Sequence, residues 1–599
     1  MTKRVKKTAR SKRREATPEK RETMTEAAGL PAGAIDYRLV LTETGAGTGY
    51  FTCTPPEEMD DAACLDALRA SPNDAFMRRH LLKRICLWDP EHLAARLRET
   101  SAADTFLRAL FYEAILLYDH FESLGKSLRP EKVMRAAGGT PFIYLKSHLA
   151  DDQALHSRWI DLFRGNLNDH RMLPPPEKTD LAAPFAEAVL SHADAARPGI
   201  AAIRDRILAA GLPEAPPRPP LEETTRVALE KLDRLGILAG EVQRHVASLS
   251  PIALLRQWRV DFSVRNGRHD YRVRGIQNSY GRGLDLPAAQ ASLAMEMIER
   301  CASFASVSPD GVIGYTREYP LTHARYSELL RAGIPAVDPN RLALEAPYSD
   351  EPLYWIEGEG TGPSGAVTVW VPAQCVFLFF NMDEVKLFSA LGSTGLASGN
   401  TMAEARLAAL YEIIERDHDG VTPFHPSLSF TVETTDPRVG KLLDQYRELG
   451  IHVQFQDLTS KMGVPCCKCF VREMGGGIVK GTGCHLDARR ALLSAMTETP
   501  YAFPYGPPSG TGLHGLVRVP LENLPDYSLG NSAADLLLLE TLLEEWGFRP
   551  VYIDLTRRDV GLPVVRAIVP GMEITADFDR FSRVHPRLFA NYRRLFGGS

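Results

Sequence analysis

The chain has 599 residues, 44% of them hydrophobic and 24% charged, and its formal net charge is −5 at pH 7. This is ordinary globular composition, and no run approaches the roughly 18 apolar residues of a membrane-spanning helix, which excludes an integral membrane protein of that kind. The length exceeds what one hydrophobic core usually serves and predicts two domains.

The chain opens with a strongly basic segment. Residues 1–22 carry ten Lys or Arg against three acidic residues, so this segment is +7 and the remainder is −12. It has few large apolar side chains and cannot bury enough surface to fold alone, so we expect a disordered, solvated tail over residues 1–34. A contact with RNA or the ribosome through counterion release is the alternative. The segment lacks the apolar core of a secretory signal, and nine cysteines are typical of reduced thiols, which together predict a cytoplasmic protein.

Residues 35–210 are predicted to form a mainly helical N-terminal module. After a hairpin over Asp36–Thr54, apolar residues recur at helical spacing in Asp74–Leu87, Pro90–Arg98 and Ala103–Leu124. The segment 211–220 holds five prolines in ten residues, which indicates a stiff, extended linker.

Residues 221–599 mix strand and helix patterns, which predicts an α/β or α+β domain. The predicted helices are Ala288–Phe304 and Met402–Arg416. The predicted strands are Tyr271–Ile276, Ala366–Val371, Gln374–Phe380, Val453–Asp457, Cys466–Val471 and Val551–Leu555.

Two glycine motifs do not fit a nucleotide-binding loop. The segment 45–49 resembles the start of GxGxxG, but a strand follows it where a helix should begin. Gly125-Lys126-Ser127 resembles the end of a P-loop, but His120 stands where the first glycine belongs. A nucleotide would therefore have to bind without either loop.

The strongest signal is an internal repeat of a glycine-containing turn followed by a helix with glutamates near its end. Segments 281–300 and 397–416 align at a constant offset of 116 residues, and a weaker third copy covers 483–498. The offset matches Gly283 with Gly399, Glu296 with Glu412, and Glu299 with Glu415, and Glu498 occupies the position of Glu296 in the third copy. Three related turns and helices predict one composite site.

The repeated glutamates lie on apolar helices. Glu296/Glu299 and Glu412/Glu415 are i,i+3 pairs, so the members of each pair share a helix face. Buried carboxylates repel one another and are costly unless they are paired or bind a metal. Arg300 and Arg416 offset part of this charge, and oxygen ligands suit Mg²⁺, which often binds together with a phosphate. For any single copy, the alternative interpretation is a surface helix whose glutamates form ordinary salt bridges. The alignment of three copies favours a metal site instead.

Several ordered motifs resemble the YcaO superfamily over roughly residues 221–599. These motifs are Gly281-Arg-Gly-Leu284, Glu296-Met-Ile-Glu299-Arg300, Ser393-Thr-Gly-Leu-Ala-Ser-Gly-Asn-Thr401, Glu412-Ile-Ile-Glu415-Arg416-Asp417, Thr497-Glu498, Tyr552-Ile-Asp-Leu-Thr556 and Val569-Pro-Gly-Met-Glu573. The resemblance implies a domain that binds ATP without a P-loop, with glutamates from several helices holding Mg²⁺ against the phosphates.

The resemblance also implies specific site residues. Mg²⁺ would be held by Glu296, Glu299, Glu412, Glu415 and Glu498, and the nucleotide site would add Arg282, Ser292, Ser393, Asn400 and Arg416. The sequence assigns no separate catalytic residue. The sequence also departs from the family pattern at three positions. Arg282 stands where a lysine is common, Ser494 where an arginine is common, and Tyr501 where a glutamine is common. Arg490 could substitute for the arginine that Ser494 replaces.

Two further groups of residues invite a chemical role. Cys466, Cys467 and Cys469 could bind zinc or carry sulfur, but neighbouring residues on a strand point to opposite faces, which favours packing in a sheet. His418 and His425 follow the second glutamate motif, and local hydrogen bonding is favoured over a role as general base.

Together these observations predict an enzyme of ribosomal-peptide modification that uses ATP and Mg²⁺ to phosphorylate a backbone amide oxygen. Such enzymes form an azoline with a neighbouring Cys, Ser or Thr, or a thioamide with external sulfide. We expect thioamidation, because the chain end lacks the proline-rich tail frequent in azoline-forming members. The alternative is a non-catalytic scaffold for another modification enzyme, for example one that methylthiolates a ribosomal protein. The expected partners are a peptide or protein substrate and a TfuA-like protein, and a homodimer is compatible with this interpretation.

Overall fold

The computed structural model describes residues 34–42, 50–126, 128–193, 195, 197–362, 365–573 and 578–597. The predicted basic tail, except for residue 34, and the glycine motif at 45–49 lie outside these ranges. In the described part of the chain no helix has both the length and the apolar character needed to cross a membrane.

The N-terminal part consists of a hairpin followed by helices, and the antiparallel hairpin predicted over Asp36–Thr54 is confirmed. Its strands are β1 (Ile35–Thr42) and β2 (Tyr50–Thr54). The helices are α1 (Asp61–Ala70), α2 (Ala75–Ile85), α3 (Pro90–Glu99), α4 (Thr105–Leu117), α5 (Glu122–Gly125), α6 (Pro130–Ala137), α7 (Tyr144–Leu149), α8 (Gln153–Asp169), α9 (Glu187–Ala193) and α10 (Ile200–Ala210). Aspartates begin α1 to α4, where their side chains accept hydrogen bonds from N–H groups of the first turn.

The strands of the following region belong to three sheets. They are β3 (Leu238–Arg244), β4 (Ile252–Val264), β5 (Tyr271–Gly283), β6 (Ser306–Ser308), β7 (Gly311–Ile313), β8 (Thr322–Ala324), β9 (Leu353–Gly362), β10 (Gly365–Pro372), β11 (Leu396–Ser398), β12 (Ser429–Glu433), β13 (Gln454–Asp457), β14 (Cys466–Arg472), β15 (Ile478–Cys484), β16 (Val517–Pro520), β17 (Val551–Asp554) and β18 (Val564–Ile568). The strand orders are β2-β1-β5-β4-β6-β7 with β3 beside β4, β10-β9-β17-β18-β11 with β8 beside β9, and β15-β14-β13-β12-β16.

Helices cover these sheets, so the α/β class predicted for the C-terminal region is confirmed. They are α11 (Leu221–Arg234), α12 (Leu286–Ser303), α13 (Tyr326–Arg331), α14 (Met402–Val421), α15 (Pro437–Glu448), α16 (Ala488–Glu498), α17 (Ser532–Glu545) and α18 (Pro586–Phe596). Helix α12 packs on β5, α14 contacts β18 and β15, and α16 packs on β15 and β14.

The N-terminal hairpin is part of the first sheet of the C-terminal region. Strand β1 pairs in parallel with β5, with Ile35 opposite Tyr271. Helix α2 is attached to the same region through Asp74, whose carboxylate accepts a hydrogen bond of 2.9 Å from the side-chain amide of Asn381. The first strands of the chain therefore complete a sheet whose other members lie beyond the proline-rich segment.

The N-terminal helices also share hydrophobic cores with the C-terminal region. Trp159 of α8 packs edge-to-face against Phe589 of α18, with ring centroids 5.0 Å apart. Ile203 of α10 lies in one core with Leu542 of α17. Residues on both sides of the segment 211–220 therefore contribute to the same hydrophobic cores. That the two sides are separate domains stays a prediction.

One predicted strand is wrong. Residues 374–380 form a 3₁₀ turn at Ala373–Cys375 followed by irregular chain. Phe379 has a left-handed backbone conformation, with φ of 54°, that no strand accommodates. The apolar residues of this segment are buried all the same, and a buried loop has the same short apolar pattern as a buried strand.

Candidate nucleotide and metal site

The internal repeat corresponds to three turn–helix units that meet in space. Helices α12, α14 and α16 each begin at a side-chain cap, provided by Asp285, Thr401 and Asp487 respectively. The Ser398 hydroxyl, in β11, donates a hydrogen bond of 2.8 Å to the carbonyl oxygen of Met295 in α12, which ties the second unit to the first. Helix α16 contacts β5, which brings the third unit to the same place.

Glycines of the repeat allow each helix to lie directly on its strand. A Cβ atom at Gly281 would lie 2.2 Å from the carbonyl oxygen of Ala289, and one at Gly483 would lie 2.2 Å from that of Ala491. Any larger residue would push the helix away from the strand. The glycines found in the sequence therefore set the distance between strand and helix in two of the units.

The five predicted glutamates come together at the ends of these helices. Glu296 accepts a hydrogen bond of 3.3 Å from the Tyr280 backbone N–H, and Glu412 accepts one of 3.2 Å from the Gly395 N–H. The Thr482 hydroxyl donates a hydrogen bond of 2.7 Å to Glu415. Glu299 interacts electrostatically with Glu412 and Glu296, and Glu498 with Glu412 and Glu415. One connected acidic cluster results.

Burial raises the pKa of every carboxyl group in this cluster. The pKa values of Glu299 and Glu415 rise to about 8, because both groups are removed from water and lie near other carboxylates. Burial also raises the pKa values of Glu296, Glu412 and Glu498. The side chain of Glu296 keeps 28% of its surface exposed and that of Glu299 16%, so the cluster is open to ligands on one side.

Four arginines surround the five glutamates: Arg282, Arg300, Arg416 and Arg566. The Nε atom of Arg300 lies 3.4 Å from Glu299 and 3.9 Å from Glu296. The Nε of Arg282 and the Nε and Nη1 of Arg566 have no hydrogen-bond partner among the described residues. These guanidinium donors are free for an anionic ligand.

Arg566 was not found by the sequence analysis. It lies in β18, is 3% exposed, and donates a hydrogen bond of 3.1 Å to the Gly392 carbonyl. Burial lowers the pKa of its guanidinium to about 10, although Glu412 opposes the shift. The available signal was an arginine inside an otherwise apolar strand, which is rare unless the charge has a partner.

The other predicted residues differ in their placement. Asn400 shapes its loop: its backbone N–H and its amide each donate a hydrogen bond of 2.9 Å to Glu404, and its amide oxygen accepts one of 3.0 Å from Thr224. Ser292 is exposed on α12 and Ser393 is half-buried before β11. Their roles toward a ligand stay predictions, as do those of the glutamates and arginines.

The departures from the family pattern have structural explanations. Arg490, which could substitute for the arginine replaced by Ser494, is 67% exposed and lies 3.9 Å from Asp487. Arg282 instead provides a cation that acts on Glu498. Tyr501 is buried in the core below β14, and its hydroxyl donates a hydrogen bond of 2.9 Å to the Pro507 carbonyl.

The cysteines and histidines have local roles in the described structure. Cys466 lies in one hydrophobic core and Cys467 and Cys469 in another, which confirms that the strand directs them to opposite faces. Burial raises the pKa of each of the three thiols, so they are protonated at neutral pH. His418 is fully buried, which lowers its pKa to about 4, and His425 contacts Ser427.

The residues at the site fit Mg²⁺ bound together with a nucleotide. In the ranges that the structure describes, no three Asp, Glu, His or Cys side chains form a ready set of metal ligands. Mg²⁺ does not need one, since it usually binds through one or two carboxylates together with waters and phosphates. Five buried carboxylates exceed the four guanidinium groups, and a divalent cation would neutralise that excess. The free donors of Arg282 and Arg566 fit phosphate oxygens.

The raised pKa values predict how stability depends on pH. The folded pKa of Glu299 and Glu415 is about 8, against an ordinary value of 4.5, so the folded state binds more protons than the unfolded state between these values. The free energy of unfolding without ligand should therefore fall as pH rises from about 5 to about 8, by up to ~1.4 kcal/mol per pH unit for each group. Thermal unfolding across this range measures the effect.

A matched variant tests the assignment. Glu299→Gln/Glu415→Gln should flatten the pH dependence, because neither position can titrate. An unchanged slope in this variant would contradict the assignment. With Mg²⁺ and ATP present, the unmodified protein should lose less stability as pH rises, because the cation stabilises the ionised carboxylates.

Comparison with known protein families finds a match that covers the site. Residues 280–506 and 507–573 match a family model described as YcaO cyclodehydratase, ATP- and Mg²⁺-binding. All ten predicted site residues fall within the matched ranges. ATP and Mg²⁺ are therefore the cofactors of the family to which the matched region corresponds.

Two individual proteins are similar to this chain over part of its length. An uncharacterized protein of Methanothermobacter thermautotrophicus is 28% identical over 345 residues, which are 51% of this chain and 84% of that protein. An uncharacterized protein in the tfuA 3′ region of Rhizobium leguminosarum bv. trifolii is 28% identical over 258 residues, 40% of this chain. The chain spans 56% of the length of that second relative.

A solved structure is similar at lower identity. YcaO from Methanopyrus kandleri, bound with AMPPCP and Mg²⁺, is 21% identical in sequence, with a TM-score of 0.42 over 61% of this chain and 94% of the other. The match of residues 280–573 to the family model confirms the resemblance to the YcaO superfamily that the sequence motifs predicted.

Proposed function

We propose that this protein uses ATP and Mg²⁺ to activate a backbone amide of a peptide, and that external sulfide then converts the amide to a thioamide. The observation that supports this function is the buried cluster of five glutamates and four arginines formed by α12, α14, α16 and β18. Such a cluster is costly without a ligand, and Mg²⁺ would offset the repulsion among its carboxylates, while the free guanidinium donors would bind phosphate oxygens.

Each part of the site has a role in this reaction. The glutamates hold the metal, and Arg282 and Arg566 contact phosphate oxygens and stabilise negative charge that develops during transfer. Bound with Mg²⁺, ATP would supply the phosphoryl group that converts the amide oxygen into a good leaving group. Leu293, Met297 and Ile413, buried around the glutamates, exclude bulk water, which would hydrolyse an activated amide back to the starting amide.

The second step distinguishes two products. Attack by sulfide on the activated amide carbon forms a C–S bond, and departure of phosphate removes the original oxygen, which gives a thioamide. Attack by a neighbouring Cys, Ser or Thr side chain gives an azoline instead. The relative in the tfuA 3′ region supports a TfuA-like partner for this protein, and with it the thioamide.

Mass spectrometry of a peptide product tests the proposal. We expect a product that depends on ATP and added sulfide and that gains the mass difference between sulfur and oxygen. A peptide without Cys, Ser or Thr should be modified equally well, because a thioamide needs no neighbouring nucleophile. Loss of the mass of water without added sulfide would contradict thioamidation and indicate azoline formation. ATP binding without any product would support a scaffold.

A further inference from the structure

A large cavity lies apart from the glutamate cluster. It has a volume of about 740 Å³ and is bounded by α18, the C-terminal end of α14, the turn after β13 and the loop after α17. None of the ten predicted site residues lines it. We call it the cationic cleft, after the positively charged residues on its walls: Arg197, Arg341, Lys461, Arg583, Arg587 and Arg594.

The walls of the cationic cleft carry more positive than negative charge. Among the described residues, the acidic ones that line it are Asp457 and Glu573. Arg583 and Arg587 are paired with Asp152 and Asp417, which hold them in place. Among the described residues, the wall cations that form no ion pair are Arg197, Arg341 and Arg594.

Two of these cations are exposed to solvent. The side chains of Arg341 and Arg594 are exposed, and neither forms an ion pair with any residue within the described ranges. Arg594 donates only a hydrogen bond of 3.0 Å to the Asn591 side chain. Both guanidinium groups are therefore available to a carboxylate of a ligand.

Aromatic and apolar side chains complete the walls. Arg197 lies over the ring of Trp546, 5.8 Å from its centroid, and Arg587 lies over Phe548 at 5.3 Å. Met462 and Val584 also line the cleft. This volume is in the range of about 300–1,000 Å³ that ligand sites have, and mixed apolar and cationic walls suit a short peptide with acidic side chains.

We propose that the cationic cleft binds an acidic segment of the peptide substrate, away from the amide that is modified. Charge complementarity favours this occupant, and it disfavours the basic N-terminal segment of the chain itself. Val421 and Thr422, which line the cleft, end the helix that carries Glu412 and Glu415. The identification of the peptide as the substrate rests on the proposed function, whereas the binding of an acidic peptide does not.

Fluorescence anisotropy with a labelled glutamate-rich nonapeptide tests the cleft. The complete protein should bind this peptide more tightly than a glutamine-rich peptide of the same length. Arg341→Gln/Arg594→Gln should weaken binding by about fivefold, because two exposed charge pairs are lost. Ala590→Trp, which fills the cleft without changing any charge, should also weaken binding.

A charge-matched control separates the cleft from general electrostatic attraction. Arg98→Gln/Arg135→Gln removes two exposed arginines from α3 and α6 and should leave binding unchanged. Equal weakening in this control, or no effect of Ala590→Trp, would overturn the proposal. ATP affinity, measured on the same variants, should not change. A variant that loses peptide binding but still binds ATP therefore reports on the cleft and not on the ATP site. If the unmodified protein binds the peptide but not ATP, that result would contradict the proposed function and leave the proposal for the cleft intact.

Discussion

Glu412→Gln is expected to abolish measurable binding of ATP with Mg²⁺. An amide has no negative charge for the cation, and position 412 lies at the centre of the cluster, where its carboxylate interacts with Arg416, Arg300 and Arg566. We expect a loss of affinity of at least ~100-fold, which corresponds to ~2.7 kcal/mol. Isothermal titration calorimetry of the purified protein measures it.

Although Glu412→Gln should lower the affinity for ATP, it should not lower the thermal stability of the ligand-free protein. Without ligand, the substitution removes repulsion among buried carboxylates, so the melting temperature should stay the same or rise. Glu540→Gln is the matched control, because burial also raises the pKa of Glu540, but its partners are Tyr552 and Arg406 outside the cluster. Unchanged ATP affinity in Glu412→Gln, or equal loss in Glu540→Gln, would refute the assignment of the site.

Asp417→Asn is expected to destabilise the fold by about 3–5 kcal/mol, since it breaks a buried ion pair and leaves one partner without its counter-charge. The Asp417 side chain is fully buried, and its Oδ2 atom accepts a hydrogen bond of 2.6 Å from Arg587. Its Oδ1 atom accepts one of 2.7 Å from the Glu573 backbone N–H. Urea unfolding measures the change in free energy.

The pair of Asp152 with Arg583 provides the control. It is also bidentate, but the Asp152 side chain is 54% exposed, so Asp152→Asn should cost about 1 kcal/mol or less. Similar losses in the two variants would show that burial does not determine the strength of the Asp417 pair.

The repeat made the centre of the site predictable from sequence. Glycines, N-caps and glutamates recur at fixed spacing, and each acts within one turn and helix, so local pattern was sufficient to place the three helices. Arg566 gave no such pattern, because a single residue of β18 reaches the cluster through the pairing of β18 with β11. The contribution of the tertiary fold to the site was therefore not visible in the sequence.

Elements outside the repeat were also predictable only as far as local sequence determines them. The hairpin over Asp36–Thr54 was predictable from its own residues, but its parallel pairing with β5 joins segments far apart in the chain and leaves no local signal. The strand predicted over Gln374–Phe380 was wrong for another reason. Burial of apolar residues was correctly indicated, but the left-handed conformation of Phe379 depends on its surroundings and not on its own sequence.

The parallel pairing of β1 with β5 has a consequence for the order in which the chain folds. During synthesis, β1 emerges before its partner has been made, and at about 5–20 residues per second the delay is roughly 10–50 s. In that interval the edge of β1 is exposed and open to pairing with another nascent chain. A chain that stops within the proline-rich segment has no β5 at all, so we expect it to aggregate. Strand β1 thus reaches its final place only after the middle of the chain has left the ribosome.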